Sequence, residues 1–484
     1  MNIRFLLYNL FFLLAGLNML SAQEHLGLRT ENFAGVNGIL LNPAANLTSP
    51  YRFDINLFSA GFFAENNYGH IRNTHLFHIM KNSRDPSNIL NGVYSDIDIP
   101  TEDSWLVYDY FDNEKRKYAS ASFHALGPSL SIKINNGHSF SLITGLRGMG
   151  STHRIPFKAA FYYIDRIPFR EPIDIEPINA AGMVWGEVGL NYAASIPTYQ
   201  GRLGIGITAK YLIGLEAGFV SSPQTLQITQ FPDDTLVLNN AILDFGFTDA
   251  NTNTAVDPSV GQNGKGIGVD IGAIMTIEGD EAPYQWKFGV SILDLGKVNF
   301  NTNAQLHQIV QPQDTLLGIL PLNDFNGRDD LSEYVELLSE YTLRDSFASQ
   351  VGSSFAIGLP TALSLQADYQ FYSGFFVNAI WMQRLKFNPQ TIGRDNLFAV
   401  SSRYENRWLS GSLSLVLRNY QKLRLGFSAR LAFFVIGTEN LGSWIGKSTF
   451  TGTDIYFGIK INPFRTGPWE FSGGKGKGVK CYDF

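Results

Sequence analysis

The sequence predicts an all-β protein: a transmembrane antiparallel β-barrel of about fourteen strands (12–16), with an N-terminal plug segment and long extracellular loops. Three observations carry this expectation. Charged residues are 17% of the 484 residues, below the roughly 25% of an average soluble domain, while aromatics reach 13% and Gly counts 47. Apolar and polar residues alternate with period two in segment after segment. Beyond the N-terminus no apolar run is long enough for a membrane-crossing helix, so entry into a membrane requires a closed barrel, which satisfies the backbone of every strand.

Taken in chain order, residues 1–22 read as a signal peptide. Arg4 supplies a positive start, an apolar core runs from Phe5 to Leu20, and Ser21-Ala22-Gln23 is a small-residue cleavage region. The expected location after cleavage is the outer membrane of a Gram-negative bacterium. Cys481 is the one cysteine, so no intramolecular disulfide forms. The net charge of -6 gives no reason to expect nucleic acid as a partner.

Residues 23–50 are expected to form the plug or strap. Asn42, Pro43 and Ala44 break the strand pattern, because proline and small residues do not continue it. They read as the turn that carries the chain from plug to wall. Residues 51–464 are expected to be the barrel. At its start Tyr51, Phe53, Ile55 and Leu57 alternate with Arg52, Asp54 and Asn56. The clearest alternation is "RLGIGITAKYLIGLE", Arg202 to Glu216, with related runs at Gly266–Ile277, Tyr284–Gly296, Leu363–Phe371, Arg424–Val435 and Thr453–Ile461.

Strands are expected to begin near 51, 119, 139, 184, 202, 264, 284, 351, 363, 374, 397, 408, 424 and 452. The first, third, fifth and seventh connections are long, about 64–118, 149–183, 219–263 and 297–350. Those between are mostly short, including "NNGH" at Asn135–His138, "PTYQG" at Pro197–Gly201, "EGDEAP" at Glu278–Pro283 and "PTA" at Pro360–Ala362. Short periplasmic turns and long extracellular loops are what an outer-membrane barrel requires. The connection near 384–396 is longer than its parity in this count allows. Within 297–350, Asp329–Leu343 has helical spacing of Leu331, Tyr334, Val335, Leu338 and Tyr341, with Asp329 or Asp330 as N-cap. Residues 465–484 form a basic, glycine-rich tail.

"NPAANL" (Asn42–Leu47) resembles the Asn-Pro-Ala segment near the N-terminus of long-chain fatty-acid transporter barrels of the FadL type. "GVSILDLG" (Gly289–Gly296), "GTENLG" (Gly437–Gly442) and above all "GLRTENFAGVNGILLNPA" (Gly27–Ala44) are similar to motifs of an uncharacterised Bacteroidota outer-membrane barrel family. That resemblance spans nearly the whole mature chain. It implies fourteen strands, an N-terminal plug and a passive conduit. The Gly/Ala-rich hatch of FadL-type barrels is shortened here, and no fatty-acid pocket motif is recognisable.

Motifs for chemistry are weak. Gly204-x-Gly206-x-x-Ala209 matches a dinucleotide fingerprint in letters but lies inside an alternating strand, where glycine on the lumen face is the simpler account. His70, His75 and His78 lack a completing ligand pattern. Asp96, Asp98, Glu102 and Asp103 read as a solvated acidic run. No cofactor, metal site or catalytic group is expected, and the protein is not read as an enzyme. The informative polar residues are out of phase with apolar neighbours: Arg52, Asp54, Glu187, Lys210, Asp270, Lys287, Asp368, Arg424, Arg430 and Lys460, with Lys133, Arg147 and Asp454 alongside. On the lipid side each would cost about 2–4 kcal/mol at mid-membrane, so they are expected to line the lumen, as a salt-bridged filling or a polar conduit. The expected function is passive conduction of small or hydrophobic solutes. The alternative is a surface scaffold for a secreted or motility-related protein partner. Outer-membrane lipid is the expected surrounding, and a hydrophobic small molecule the expected ligand.

Overall fold

A computed structural model describes residues 24–85, 88–91, 105–111, 113, 115–135, 137–155, 169–232, 235–239, 241–248, 261–279, 284–310, 317–321, 331–446 and 448–461. The signal peptide, the basic tail with Cys481, the acidic run at 96–103 and the helix caps Asp329 and Asp330 lie outside the described residues.

The wall is a closed antiparallel barrel of fourteen strands. They are β1 (Phe53–Asn66), β2 (Lys117–Leu126 with Ser129–Asn135), β3 (His138–Ile155), β4 (Ile178–Thr198), β5 (Gly201–Ser222), β6 (Gly264–Ile277) and β7 (Trp286–Phe300). Then follow β8 (Phe355–Gly358 with Ala362–Tyr372), β9 (Phe375–Arg384), β10 (Leu397–Glu405), β11 (Leu409–Arg418), β12 (Lys422–Leu431), β13 (Phe434–Thr438) and β14 (Gly452–Ile461). The ladder between β14 and β1, from Ile55↔Ile461 to Glu65↔Gly452, closes the ring. Among the described residues each wall strand pairs with both of its neighbours, except that the upper halves of β12 and β14 are not joined by a ladder; pairing of this kind is what hydrocarbon demands of strands.

The strand count is as expected, but two assignments inside it change. The segment near 351 is not a wall strand of its own. Gln350–Gly352 pairs with Ala304–Val310 beyond the barrel, and Phe355–Gly358 is the upper part of β8. The "PTA" stretch is a break within β8, not a turn: Gly358 pairs with Lys297 and Ala362 with Leu293, both on β7. Pro360 lacks the N–H a continuous ladder would use, so the strand is interrupted there. Conversely, Arg424–Val435 holds a tight turn at Ala432-Phe433, with Ala432 at φ 52, and this separates β12 from β13. The two changes cancel in the total. They also place the 385–396 connection between β9 and β10, on the long-loop end, which removes its parity anomaly.

Alternation of exposed and buried side chains follows the pleat. Bulges at Asn56/Phe58, Gly214/Glu216 and Val269/Ile271 shift the phase. Tyr284 precedes β7 and turns inward, fully buried, rather than joining the outward row of Trp286, Phe288 and Val290.

The long connections fold into structures of their own. Gly69–Thr74, Leu106–Tyr110, Ile89–Asn91 and Ser448–Phe450 form one sheet; Pro172–Ile175, Leu226–Gln230, Thr235–Asn239 and Leu317–Pro321 form another. The expected helix is present at Leu331–Leu343. Leu338 and Tyr341 pack on Ile175, Leu226, Ile228 and Ala241, while Leu331 is exposed.

Candidate functional site: the filled lumen

The segment 24–50 runs inside the ring as two single helical turns, Leu26–Arg29 and Val36–Ile39, and a 3-10 turn, Ala45–Thr48. Nearly all of it is buried. A short, irregular, buried segment cannot satisfy its own backbone, so the wall must. Lys460 Nζ donates to the carbonyls of Phe33 (2.8 Å) and Ala34 (3.0 Å). Ser291 and Gln366 donate to Leu41 O at 2.8 and 3.1 Å, and Lys133 Nζ donates to Ser49 O. In the other direction, Asp54 accepts from Val36 N (2.9 Å), Glu439 from Leu26 N (3.0 Å) and Tyr456 from Gly27 N (2.9 Å). These partners come from opposite sides of the ring, so the segment is enclosed rather than laid against one wall.

Asn42, Pro43 and Ala44 sit on a patch of wall glycines. Asn42 Nδ2 donates to the in-wall carbonyls Ala273 O (3.1 Å) and Val290 O (3.3 Å), and its Oδ1 accepts from Ala44 N at 3.0 Å. Asn191 Nδ2 donates to Pro43 O at 3.0 Å. A Cβ on Gly206 would lie 2.4 Å from the Pro43 carbonyl, and one on Gly272 would lie 2.5 Å from Asn42 Oδ1. Gly204 and Gly206, which match the dinucleotide letters, are thus bare wall where the plug touches it, through the Leu47 side chain at Gly204 and through backbone at Gly206.

Above this dock the ion pairs converge on Asp294. It accepts from Arg147 at 2.8 and 2.9 Å, from Lys210 at 2.7 Å and from Arg394 at 3.2 Å. Lys210 also meets Asp270 at 2.7 Å, and Arg147 meets Glu187 at 3.4 Å. Asp294 holds φ at 56, a left-handed conformation at the strand bulge that aims its carboxylate inward. Arg394 comes from the 385–396 connection, which folds down into the ring: Gly393 N donates to Ser151 Oγ at 2.8 Å and Ser120 donates to Asp395 at 2.8 Å. Arg394 then takes Glu24 of the plug in a fork at 2.7 and 3.0 Å. Two inner segments, one entering from each end, therefore meet at Glu24 and Arg394. Burial pulls the Arg29 guanidinium down to about 10 against the pull of Glu24 3.5 Å away, so it stays cationic at neutral pH.

Nine of the ten expected lumen residues lie in this interior. Asp54, Glu187, Lys210, Asp270, Asp368, Arg430 and Lys460 are buried; Lys287 and Arg424 are largely so. Arg52 is different: it precedes β1 and is exposed. The ten do not form one cluster. Asp368 holds Arg403 (3.0 and 2.6 Å) and Lys287 (3.3 Å), Arg430 holds Glu31 of the plug at 2.7 Å, and Arg424 holds Glu65 at 3.0 Å. Sequence reasoning missed Glu24, Arg29, Asp294, Arg394, Arg403 and Glu439. A signal existed for three of them: Arg29 lies inside "GLRTENFAGVNGILLNPA", and Asp294 and Glu439 are the acids inside "GVSILDLG" and "GTENLG". A cavity of ≈ 30 Å³ remains between the plug and Lys287, Asp368 and Ile380, room for one or two waters.

One part of the wall is not closed by a strand ladder. β13 has five residues and pairs β12 no higher than Phe427↔Thr438 and β14 no higher than Gly437↔Tyr456. The upper halves of β12 and β14 are bridged instead by the turn after β13. Leu441 N donates to Leu425 O (2.7 Å), Asn440 Nδ2 to Gly452 O (3.1 Å) and Trp444 Nε1 to Asp454 O (2.9 Å). Two strand-edge carbonyls are therefore satisfied by side chains.

His75 caps the helix Leu76–Asn82, and His78 bonds Thr74 Oγ1 at 2.8 Å. Among the described residues no group of three His, Cys, Asp or Glu is arranged to hold a metal ion.

No curated protein matches the chain. Similar solved structures include a deltaS2S3 mutant of the monoaromatic hydrocarbon channel TodX, at 10% identity and TM-score 0.40, covering 88% of this chain and 94% of that one. They also include the P. putida toluene transporter TodX at 9% identity, covering 88% and 93%, TM-score 0.37. The CymD monoaromatic hydrocarbon channel is a further one at 9%, covering 88% and 93%, TM-score 0.32. A family profile described as "Family of unknown function (DUF5723)" matches residues 43–439, from the docking proline to the glutamate that holds Leu26, and the chain belongs to that family.

Proposed function

We propose that this protein is a gated outer-membrane conduit for small apolar solutes, closed in the state described. The observation that carries this reading is that the lumen is filled by two segments outside the wall, which meet at Glu24 and Arg394. A ring of fourteen strands is wider than its own side chains can fill, so its closure depends on those segments staying docked. Moving either one opens a path. The bridged seam between β12 and β14 supports an apolar cargo, because an exit there would deliver a solute into lipid rather than water. The test is uptake of an apolar fluorophore and of ions into vesicles carrying the full chain, compared with the Arg394→Met variant. Removing one partner of a buried pair costs about 3–5 kcal/mol, so the variant is expected to leak while the wall stays folded. A folded Arg394→Met barrel, and one lacking residues 24–40, that both remain impermeable would overturn the reading.

A second reading, a surface scaffold for a secreted or surface protein, is favoured by the separate core under Leu331–Leu343. It expects a crosslinked partner that is lost when that helix is deleted.

A further inference from the structure

We propose that Lys265 and Lys297 bind the phosphate of an outer-leaflet lipid whose acyl chains lie along β5, β6 and β7. Both lysines are exposed on the outward face of the wall. The register pairs Lys265 with Asn299 and Ile267 with Lys297, so the two are diagonal neighbours on adjacent strands, within about 8 Å. Their lateral partners on the flanking strands are Ile213 and Gly358, neither of them acidic. Glu216, further up β5, is held by Asn263 at 3.2 Å and by Thr248. Neither lysine has an ion pair among the described residues. Two adjacent like charges with no counterion among the described residues repel each other, and an anion placed between them removes that repulsion.

Their height on the wall identifies the anion. Ile277, at the other end of β6, pairs with Trp286, whose ring lies beside Phe288 and Tyr369 at the short-turn rim. Aromatic girdles mark a membrane interface. Lys265 lies twelve residues from Ile277 on β6. At about 3.3 Å per residue and a tilt of about 40°, that is about 30 Å along the membrane normal, against an apolar band of about 25 Å. Lys265 and Lys297 therefore sit at headgroup height on the long-loop side. From the row of Lys297 downward the surface is apolar and exposed: Ile267 (69%) and Tyr211 (47%) in that row, then Ile271 (46%) below it. Phosphate above and hydrocarbon below is the chemistry of a phosphorylated lipid, not of a free anion.

The experiment is native mass spectrometry of the full chain in detergent with a phosphorylated outer-leaflet glycolipid, its dephosphorylated counterpart, and inorganic phosphate as competitor. The wild-type barrel is expected to retain the phosphorylated lipid. Lys265→Gln/Lys297→Gln, still heat-modifiable on gels, is expected to retain about tenfold less or lower. Wild type should hold the dephosphorylated lipid as weakly as the variant holds the phosphorylated one. Millimolar inorganic phosphate should not displace the lipid. Equal retention by the variant, equal retention of the dephosphorylated lipid, or displacement by inorganic phosphate would each overturn the proposal. Should the variant fail to fold, the dephosphorylated-lipid arm decides with the wild-type chain alone.

Discussion

Gly206→Ala should loosen the plug without loosening the wall. The added Cβ would meet the Pro43 carbonyl carbon and oxygen at 2.4 Å and Ala44 N at 2.6 Å. These are backbone atoms, so no rotamer change relieves the clash, and the plug must move by about 1 Å to restore van der Waals contact. Overpacking of this kind costs about 1–3 kcal/mol. The shift also breaks the 3.0 Å bond from Asn191 to Pro43 O, worth about 1 kcal/mol. A total of about 2–4 kcal/mol raises the undocked population by about 30- to 1,000-fold. Amide hydrogen exchange on residues 24–50, against exchange on the wall strands, reads this directly. Gly411→Ala is the control, because a Cβ there meets nothing within 4 Å. The reasoning fails if protection of 24–50 is unchanged, if Gly411→Ala has the same effect, or if the wall strands lose protection in parallel.

Other outcomes follow from the same geometry. Asn42→Ala removes a side chain that serves two wall carbonyls and Ala44 N; the buried Ala44 amide is left without its acceptor, at about 1–3 kcal/mol. Exchange should accelerate at 41–48 more than at 24–31, where the Glu24–Arg394 fork is intact. Trp444→Phe deletes the donor to Asp454 O in the seam. Uptake of an apolar fluorophore into vesicles should rise while ion conductance stays at the wild-type level; unchanged uptake would mean that the seam does not conduct. Ile271→Lys places a charge on the lipid face near mid-height, where it costs about 2–4 kcal/mol. Its urea midpoint for refolding into vesicles should fall accordingly, and no fall would mean that this face does not meet lipid.

Much of the wall was legible in the sequence because a strand between lipid and lumen imposes period two on side chains. Arg202–Glu216 and Gly266–Ile277 alternate so regularly that their inner and outer faces can be written from letters. Phase was lost at bulges: Glu216 reads as inward by alternation, yet it pairs with Val184 on the outward row of β4 once the bulge is counted. Strand boundaries were less legible. Ala432-Phe433 carries no glycine or proline, so the turn between β12 and β13 has no letter that announces it. Pro360 announces a break but not whether the chain turns back or continues. For the site, Asp54, Lys210 and Lys460 could be assigned to the interior from charge alone, since hydrocarbon excludes them. Glu24, Arg29 and Arg394 could not, because they lie on irregular segments where no alternation gives a face.

The sequence by itself determined a β-barrel and, ahead of it at residues 23–50, a non-strand segment that carries Asn42-Pro43-Ala44. Those properties are local: each follows from a residue and its neighbours two places away. Only the tertiary structure decided that "GVSILDLG", "GTENLG" and the plug, far apart in the chain, are brought together across the lumen. It also decided that the overlong 385–396 connection returns to meet Glu24. Ring closure causes this, by bringing residues hundreds of positions apart within hydrogen-bonding distance, and period-two patterning carries no record of which inward residue will face which.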